Sequence, residues 1–405
     1  MKKKSLLFLL LAIFSFLNYN DVISQWSQSS NGMGNNKTVI SFDSLGNNFF
    51  AGTYEAGLYI STNNGANWSV TSLNATQINA LATTGGIIYA GATNIAGTGG
   101  VYFSTNNGTN WTKTASGYSV FSIACKDNYV IAGTNGSGII LTSNNGTNWV
   151  TTSITTGLVN AVKNVGSRFL AGAGNGGIYI STNNGSNWVQ SSLNNRTVLS
   201  ISVSGTNIFA GTQEGGVHIS TDNGENWTQT SLSSGSVFAL SSYGTNIFAG
   251  AYVSGFFHSS NNGTTWTQKN DGFTSAAYIY ALTIKNNSIF AGVLNSSTWQ
   301  RNLSTVVSNI RQISNLNPAV FLLNQNYPNP FNPATKINFS IPKTSNTVLK
   351  VFNTNGMEVQ TLVNQNLQAG TYSVEFGNTN LASGIYFYTL TSGEFKEIKK
   401  MILVK

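Results

Sequence analysis

The chain has 405 residues, 42 of them glycine, with only 8% charged residues and a formal net charge of +8. Residues 26–304 carry nine Lys/Arg against seven Asp/Glu and residues 305–405 eight against four. The basic excess therefore belongs to Lys2–Lys4 and the tail, which argues against a nucleic-acid-binding stripe, and the lone Cys125 excludes an internal disulfide.

The chain opens with Met1 and three lysines, then an apolar run from Leu6 to Leu17, then polar Asn18–Gln25. A basic start followed by an apolar run too short to span a bilayer reads as an export leader, residues 1–25, cut near Ser24 or Gln25. No other stretch approaches membrane-spanning length, and no Cys follows the apolar run to carry a lipid anchor.

From residue 26 the sequence is repetitive. The pattern Ser-x-Asn-x-Gly-x-x-Trp occurs first as Ser61, Asn63, Gly65 and Trp68, and ends again at Trp111, Trp149, Trp188, Trp227 and Trp266. Successive tryptophans lie 43, 38, 39, 39 and 39 residues apart. Upstream of each box an apolar residue precedes Ala-Gly, at Gly52, Gly91, Gly133, Gly172, Gly211 and Gly250, and a seventh copy ends at Gly292. A period near 39 with strand-like alternation and Gly/Asn/Thr punctuation predicts about four short antiparallel strands per unit, stacked on neighbouring units. The expected architecture is all-β, a seven-bladed β-propeller over residues 26–304.

The box reads as the turn between third and fourth strands. Its Ser and Asn side chains can accept backbone N–H bonds, its Gly supplies a positive φ, and its Trp closes the unit by burial. Full burial of an indole removes about 150–250 Å² from water, roughly 4–6 kcal/mol gross, against about 1 kcal/mol net for a turn hydrogen bond. The box is identified as an Asp-box, or bacterial neuraminidase repeat. The array resembles the superfamily of sialidases, sortilin-type receptors, xyloglucan-cleaving glycosidases and the photosystem II assembly factor, in which such boxes are structural.

Trp26-Ser-Gln-Ser-Ser30 matches the residues after a box tryptophan, as in Trp188-Val-Gln-Ser-Ser192, but no box precedes it. The last unit reaches Thr298–Leu303 and stops before a box. The two fragments complement each other, so the N-terminal strand is expected as the fourth strand of the last blade.

Variation among the units falls in two sets of connections. One comes after the second strand, at Glu55, Asn94–Thr98, Asn135–Ser137, Glu214 and Tyr252–Ser254. The other leads into the next unit, at Leu73–Thr76, Gly117–Tyr118, Leu193–Arg196 and Asp271–Ala277. In a propeller both sets emerge on one face, and loops on a rigid scaffold are where recognition resides. Glu55, Tyr118, Arg196, Glu214, Tyr252 and Phe273 are the candidate ligand contacts.

All five prolines lie beyond residue 317. Residues 305–317 read as a linker, and residues 318–405 as a small Ig-like β-sandwich with strands near 336–341, 348–352, 371–376, 384–391 and 396–404. Tyr327-Pro328-Asn329-Pro330-Phe331, Val351–Gly356, Gly370–Tyr372, Leu381–Tyr386 with Gly384 and Tyr386, and the terminal Lys399–Lys405 succeed one another. In that order they resemble the type A C-terminal sorting domain of the type IX secretion system of Bacteroidota. The resemblance implies passage through the periplasm, engagement of the secretion machinery by the tail, and release or surface attachment of the passenger.

Catalytic constellations are thin. Sialidase chemistry needs converging arginines, and the array has only Arg168, Arg196 and Arg301, which the repeat does not bring to one centre. Glycoside hydrolysis needs two carboxyls about 5–10 Å apart, whereas Glu55 and Glu214 fall in units one and five, nearly across the ring. His218 and His258 occupy third-strand positions held elsewhere by apolar or aromatic residues. Five boxes carry Asn where calcium would prefer a carboxylate. No metal or cofactor is called for, and a monomer is expected. The sequence thus supports an exported propeller that binds an extracellular glycan, peptide or protein, with a divergent glycoside hydrolase as the alternative.

Overall fold

A computed structural model describes residues 25–405, apart from residues 75–76, 155–156, 274–275, 308–309, 315, 378–380 and 405. The expected export leader, residues 1–25, lies outside the described residues except for its last position.

Among the described residues, 26–302 fold into seven four-stranded antiparallel sheets. Sheet one is typical, with strands Val39–Leu45, Asn48–Thr53, Leu58–Ser61 and Ser69–Val70 in sequence order. The first strand of each sheet packs against the first strand of the next, and Ile279–Lys285 of sheet seven packs back on Val39–Leu45 of sheet one. The sheets therefore close into a ring. Sheet seven takes its fourth strand from the other end of the chain, for Ser27 and Gln28 pair with Gln300 and Trp299. Trp26 anchors this strand at 1% exposure, stacked on Phe273 and edge-on to Phe256, with its Nε1 donating to the Lys269 carbonyl.

The box behaves as a hydrogen-bonded turn. In all six copies the first hydroxyl accepts the Gly N–H, at 2.8 to 3.2 Å. The Asn or Asp carbonyl oxygen accepts the N–H four residues on, at 2.9 to 3.0 Å. Thr142 does the same work as serine in the third copy. The tryptophans are less uniform than full burial requires: Trp68 and Trp188 are buried, whereas Trp111, Trp149, Trp227 and Trp266 are half-buried. The gross burial figure applies to two of the six, and the rest gain a fraction of it.

Both repeated motifs turn out to face a neighbouring sheet. The box glycine of one sheet lies over the apolar residue before Ala-Gly of the preceding sheet. A Cβ on Gly108 would fall 2.5 Å from the Phe50 ring, and one on Gly65 would fall 2.7 Å from Phe290 of sheet seven. The Ala-Gly glycine in turn admits the next sheet's first strand: a Cβ on Gly91 would fall 2.4 Å from Val120, and one on Gly292 would fall 2.3 Å from the Val39 carbonyl. Sheet seven has no box. Leu303 and Val306 of the helix Leu303–Val307 pack instead into the cluster containing Phe248, the apolar residue of sheet six.

Residues 305–317, expected as a linker, are corrected. After the helix, Ile310–Ser314 pairs antiparallel with Gly370–Gly377 and becomes the edge of a tail sheet, because Ile310 has an apolar cluster to join. The tail is two four-stranded sheets around one core that includes Phe331, Phe339, Leu349, Val374, Tyr388 and Met401. Glu358–Leu367 is an additional strand with no clear period-two signal in its sequence.

Candidate functional site

The two sets of variable connections meet on one face of the ring. In sheets one, two, five, six and seven the residue after the second strand donates its N–H to a carbonyl at the start of the same sheet's first strand: Tyr54 to Thr38, Thr93 to Gln77, Gln213 to Thr197, Tyr252 to Ser236 and Leu294 to Tyr278. At that end every first strand carries a bulge, with the register slipping past Ile40, Asn79, Phe121, Asn160, Leu199, Phe238 and Tyr280. A bulge leaves its extra residue unpaired and re-aims its side chain. These seven side chains are all half-buried, and some tie one sheet to the next. Asn79 donates to the Val120 carbonyl and Asn160 to the Val198 carbonyl, while the Phe238 and Tyr280 rings lie 4.9 Å apart.

Because the sheets are near-copies, departures from the repeat stand out. Sheets six, seven and one hold an aromatic sector. Phe238 contacts Tyr252 at 5.9 Å and Tyr280 at 4.9 Å, and Tyr252 meets Tyr278 edge-on at 4.7 Å. Burial first, then the neighbouring phenols Tyr252, Tyr54 and Tyr278, push the Tyr280 hydroxyl above its ordinary pKa. Tyr54 and Tyr252 project to solvent, 56% and 45% exposed. Sheets three to five present Asn135, Gly174 and Gln213 where sheets six, seven and one present Tyr252, Leu294 and Tyr54.

The six sequence-derived candidates separate on this frame. Tyr252 belongs to the aromatic sector. Glu55 stands beside it, its Oε2 accepting the Thr38 N–H at 3.1 Å. Arg196 and Glu214 are exposed on sheets four to five, where the Arg196 charge, after burial, holds His218 below the usual histidine range. Tyr118 and Phe273 are largely packing residues: Tyr118 joins the cluster around Val120, and Phe273 lies between Trp26, on which it stacks, and Trp299, which meets it at a tilt. Glu55 and Glu214 sit on sheets one and five, which are not neighbours in the ring. Tyr54, Phe238, Tyr278 and Tyr280 are not among the residues the sequence singles out. For Phe238 and Tyr280 the signal is an aromatic residue just after the buried residue that opens a first strand, which strand alternation disguises; Tyr278 precedes such a residue and Tyr54 follows a second strand.

Further along a first strand, away from the loop face, lies Asp43. Its carboxyl is pushed up by burial, opposed by the Ser44 N–H, Thr83 and the Lys163 and Lys285 charges. Burial likewise pushes the Cys125 thiol up to about 12, which makes it a poor nucleophile at neutral pH. His258 is a packed residue, stacked on Phe248 at 5.3 Å with its Nε2 on Asn246 Oδ1 at 2.8 Å.

In the tail, the Tyr327–Phe331 motif lies along the terminal strand. Phe331 N donates to the Ile402 carbonyl, Val404 N to the Phe331 carbonyl, and Ile402 N to Asn329 Oδ1. Phe331 is 2% exposed, whereas Tyr327 is 82% exposed. Tyr386 is buried, its hydroxyl donating to the Ala382 carbonyl, and Gly384 opens its strand at Gly384–Ser392. Residues 325–405 match the family model described as the secretion system C-terminal sorting domain. The tail is a type IX secretion sorting domain. The protein is thereby addressed for export to the cell surface or beyond, and its tail engages the secretion machinery. No helix among the described residues is long and apolar enough to cross a membrane.

The ring matches solved structures at low identity, which shows the fold alone. YCF48 bound to D1 peptide aligns with a TM-score of 0.56 at 15% identity, over 68% of this chain and 96% of that one. The WD40 β-propeller domain of Doa1 gives 0.53 at 13% identity, over 68% and 96%. An ancestral GH74 enzyme gives 0.54 at 17% identity, over 91% of this chain and 59% of that one. The ring is a β-propeller. No curated protein matches the chain.

Proposed function

We propose that the protein is an exported, non-catalytic binding module: a seven-bladed propeller whose loop-bearing face recognises an extracellular glycan, peptide or protein, followed by an Ig-like sorting sandwich. On this reading each four-stranded sheet is one blade, residues 26–304 form the propeller, and the passenger is soluble or surface-held as a monomer. The observation that carries it is the asymmetry of one face. A scaffold of near-identical units keeps its other features constant and concentrates aromatic side chains at sheets six, seven and one, with Arg196 and Glu214 on the remaining arc.

The glycoside hydrolase alternative has less support. Of the exposed carboxyls of the loop face, Glu55 and Glu214 belong to non-adjacent sheets and Asp271 is paired with Arg301 at 3.4 Å, whereas two cooperating carboxyls must stand within about 10 Å of each other. Among the described residues no group of three or more His, Cys, Asp or Glu could hold a metal ion.

Binding of the labelled full-length protein to cells of its own species tests the reading. Substitution on the loop face, as in Arg196→Ala with Glu214→Ala or in Tyr252→Ala, should reduce binding several-fold in at least one case. Lys126→Ala at the opposite end of a first strand should leave it unchanged. Equal binding by all variants would contradict a loop-face site.

A further inference from the structure

The aromatic sector of sheets six, seven and one departs from the repeat in three independent ways. First, Tyr54, Tyr252 and Leu294 stand where sheets two to five carry Thr93, Asn135, Gly174 and Gln213, and the turn of sheet six is strained. Val253 holds φ at +67°, while Asn175, Asn295 and Glu214 occupy the matching turns at +57°, +49° and +57°. Asn tolerates this region; a β-branched residue rarely does. Such strain, where the surrounding structure keeps it, collects at ligand-binding sites. Val253 is also 50% exposed, so no core packing rewards the conformation.

Second, four phenols cluster at this end of the sheets: Tyr252 meets Tyr278 at 4.7 Å, Phe238 bridges Tyr252 and Tyr280, and the Tyr54 phenol lies near enough to act on Tyr280. Each phenol offers an apolar ring face and a polar edge side by side. Third, the rim is electrically balanced, with Glu55 and Lys37 as single charges and Asp271 paired with Arg301 at 3.4 Å. A polyanion would require clustered cations.

We propose that this sector is a platform for an uncharged polysaccharide, with Tyr252 and Tyr54 stacking on sugar rings and the phenolic hydroxyls bonding to sugar hydroxyls. A pyranose presents the same pairing, an apolar C–H face with a hydroxyl rim, which a mixed phenol surface matches better than a purely apolar one would. A folded protein partner fits less well. The exposed parts of Tyr54, Tyr252 and Val253 amount to a few hundred Å², whereas a stable protein interface takes roughly 800 Å² from each side. An extended peptide would seek free backbone groups at a sheet edge, but Tyr54, Tyr252 and Leu294 already donate their N–H groups within the sheets. The cleft beside Leu294 and Ala277 has about 30 Å³, too little for a sugar ring, so a chain lies across the sector rather than entering there.

This proposal rests on the loop-face binding reading and narrows it. It is tested by affinity electrophoresis of the full-length protein through laminarin, galactomannan and hydroxyethylcellulose, all neutral, with polygalacturonate as the acidic control. The wild type should be retarded by at least one neutral polymer and not by polygalacturonate. Tyr252→Ala and Tyr54→Ala should each weaken binding about tenfold or more while melting within about 2 °C of wild type, and Tyr252→Phe should fall between. Absence of retardation in every neutral gel, or full retardation of the Tyr54→Ala/Tyr252→Ala double variant, would overturn the proposal. Cell binding measured in parallel separates the two readings. If it depends on Tyr252 but is destroyed by protease treatment of the cells, the face binds a protein and only the carbohydrate assignment falls.

Discussion

His258 illustrates how one side chain reports the packing around it. Burial, then the Lys269 and Arg301 charges, hold its pKa down to about 3, and its ring is fixed between Phe248 and Asn246. The imidazole is therefore neutral in the folded protein, while the unfolded chain takes up a proton below about 6.5. Stability contributed by the neutral, packed ring is present above pH 6.5 and is lost as pH falls toward 3, at up to about 1.4 kcal/mol per pH unit. Urea unfolding of wild type and His258→Asn between pH 7 and 4 should show the variant losing less stability on acidification. Parallel slopes would mean that the ring protonates freely in the folded state. Phe273 and Tyr118 carry the complementary lesson. An aromatic residue in a variable loop is legible as such, but whether its ring faces solvent or a tryptophan depends on a partner hundreds of residues away, as Trp26 is from Phe273.

At the scale of the element, the box and the Ala-Gly motif are two sides of one seam. Both are visible as repeats, and their turn chemistry can be derived from residue type. Their mutual contact is not visible, because it joins each sheet to the preceding one and leaves no trace in spacing. Gly108 combines the two demands, with φ at +82° and the Phe50 ring at 2.5 Å from any added Cβ, whereas Gly117 in the next connection has φ at +85° and open space. Gly117→Ala should cost about 1–2 kcal/mol from backbone strain alone. Gly108→Ala should cost that and a further 1–3 kcal/mol, since Phe50 is fully buried and has nowhere to move. Chemical denaturation of the two variants checks the difference, and equal losses would show that the seam is loose. The edge strand Ile310–Ser314 escapes sequence reading for a related reason: five residues, three of them polar, resemble a linker until the partner strand Gly370–Gly377 is known.

For the whole molecule, the count of units, the complementary end fragments and the export tail are all legible, since each is written as a local pattern in a fixed order. The aromatic sector is legible only in part. Tyr252 and Glu55 stand out as loop residues, but Tyr54, Phe238, Tyr278 and Tyr280 converge through ring closure and through bulges that no single strand announces. Closure is thus what turns separate repeats into a face, and it depends on the first strand meeting the last sheet. Ser27 lies directly opposite Gln300 in an antiparallel pair, a separation that suits a disulfide. Mass spectrometry of oxidised Ser27→Cys/Gln300→Cys protein tests this most directly. A closed ring predicts near-complete intramolecular cross-linking in the monomer, with a raised melting temperature that reverts on reduction. Free thiols or disulfide-linked dimers in the folded monomer's place would contradict it.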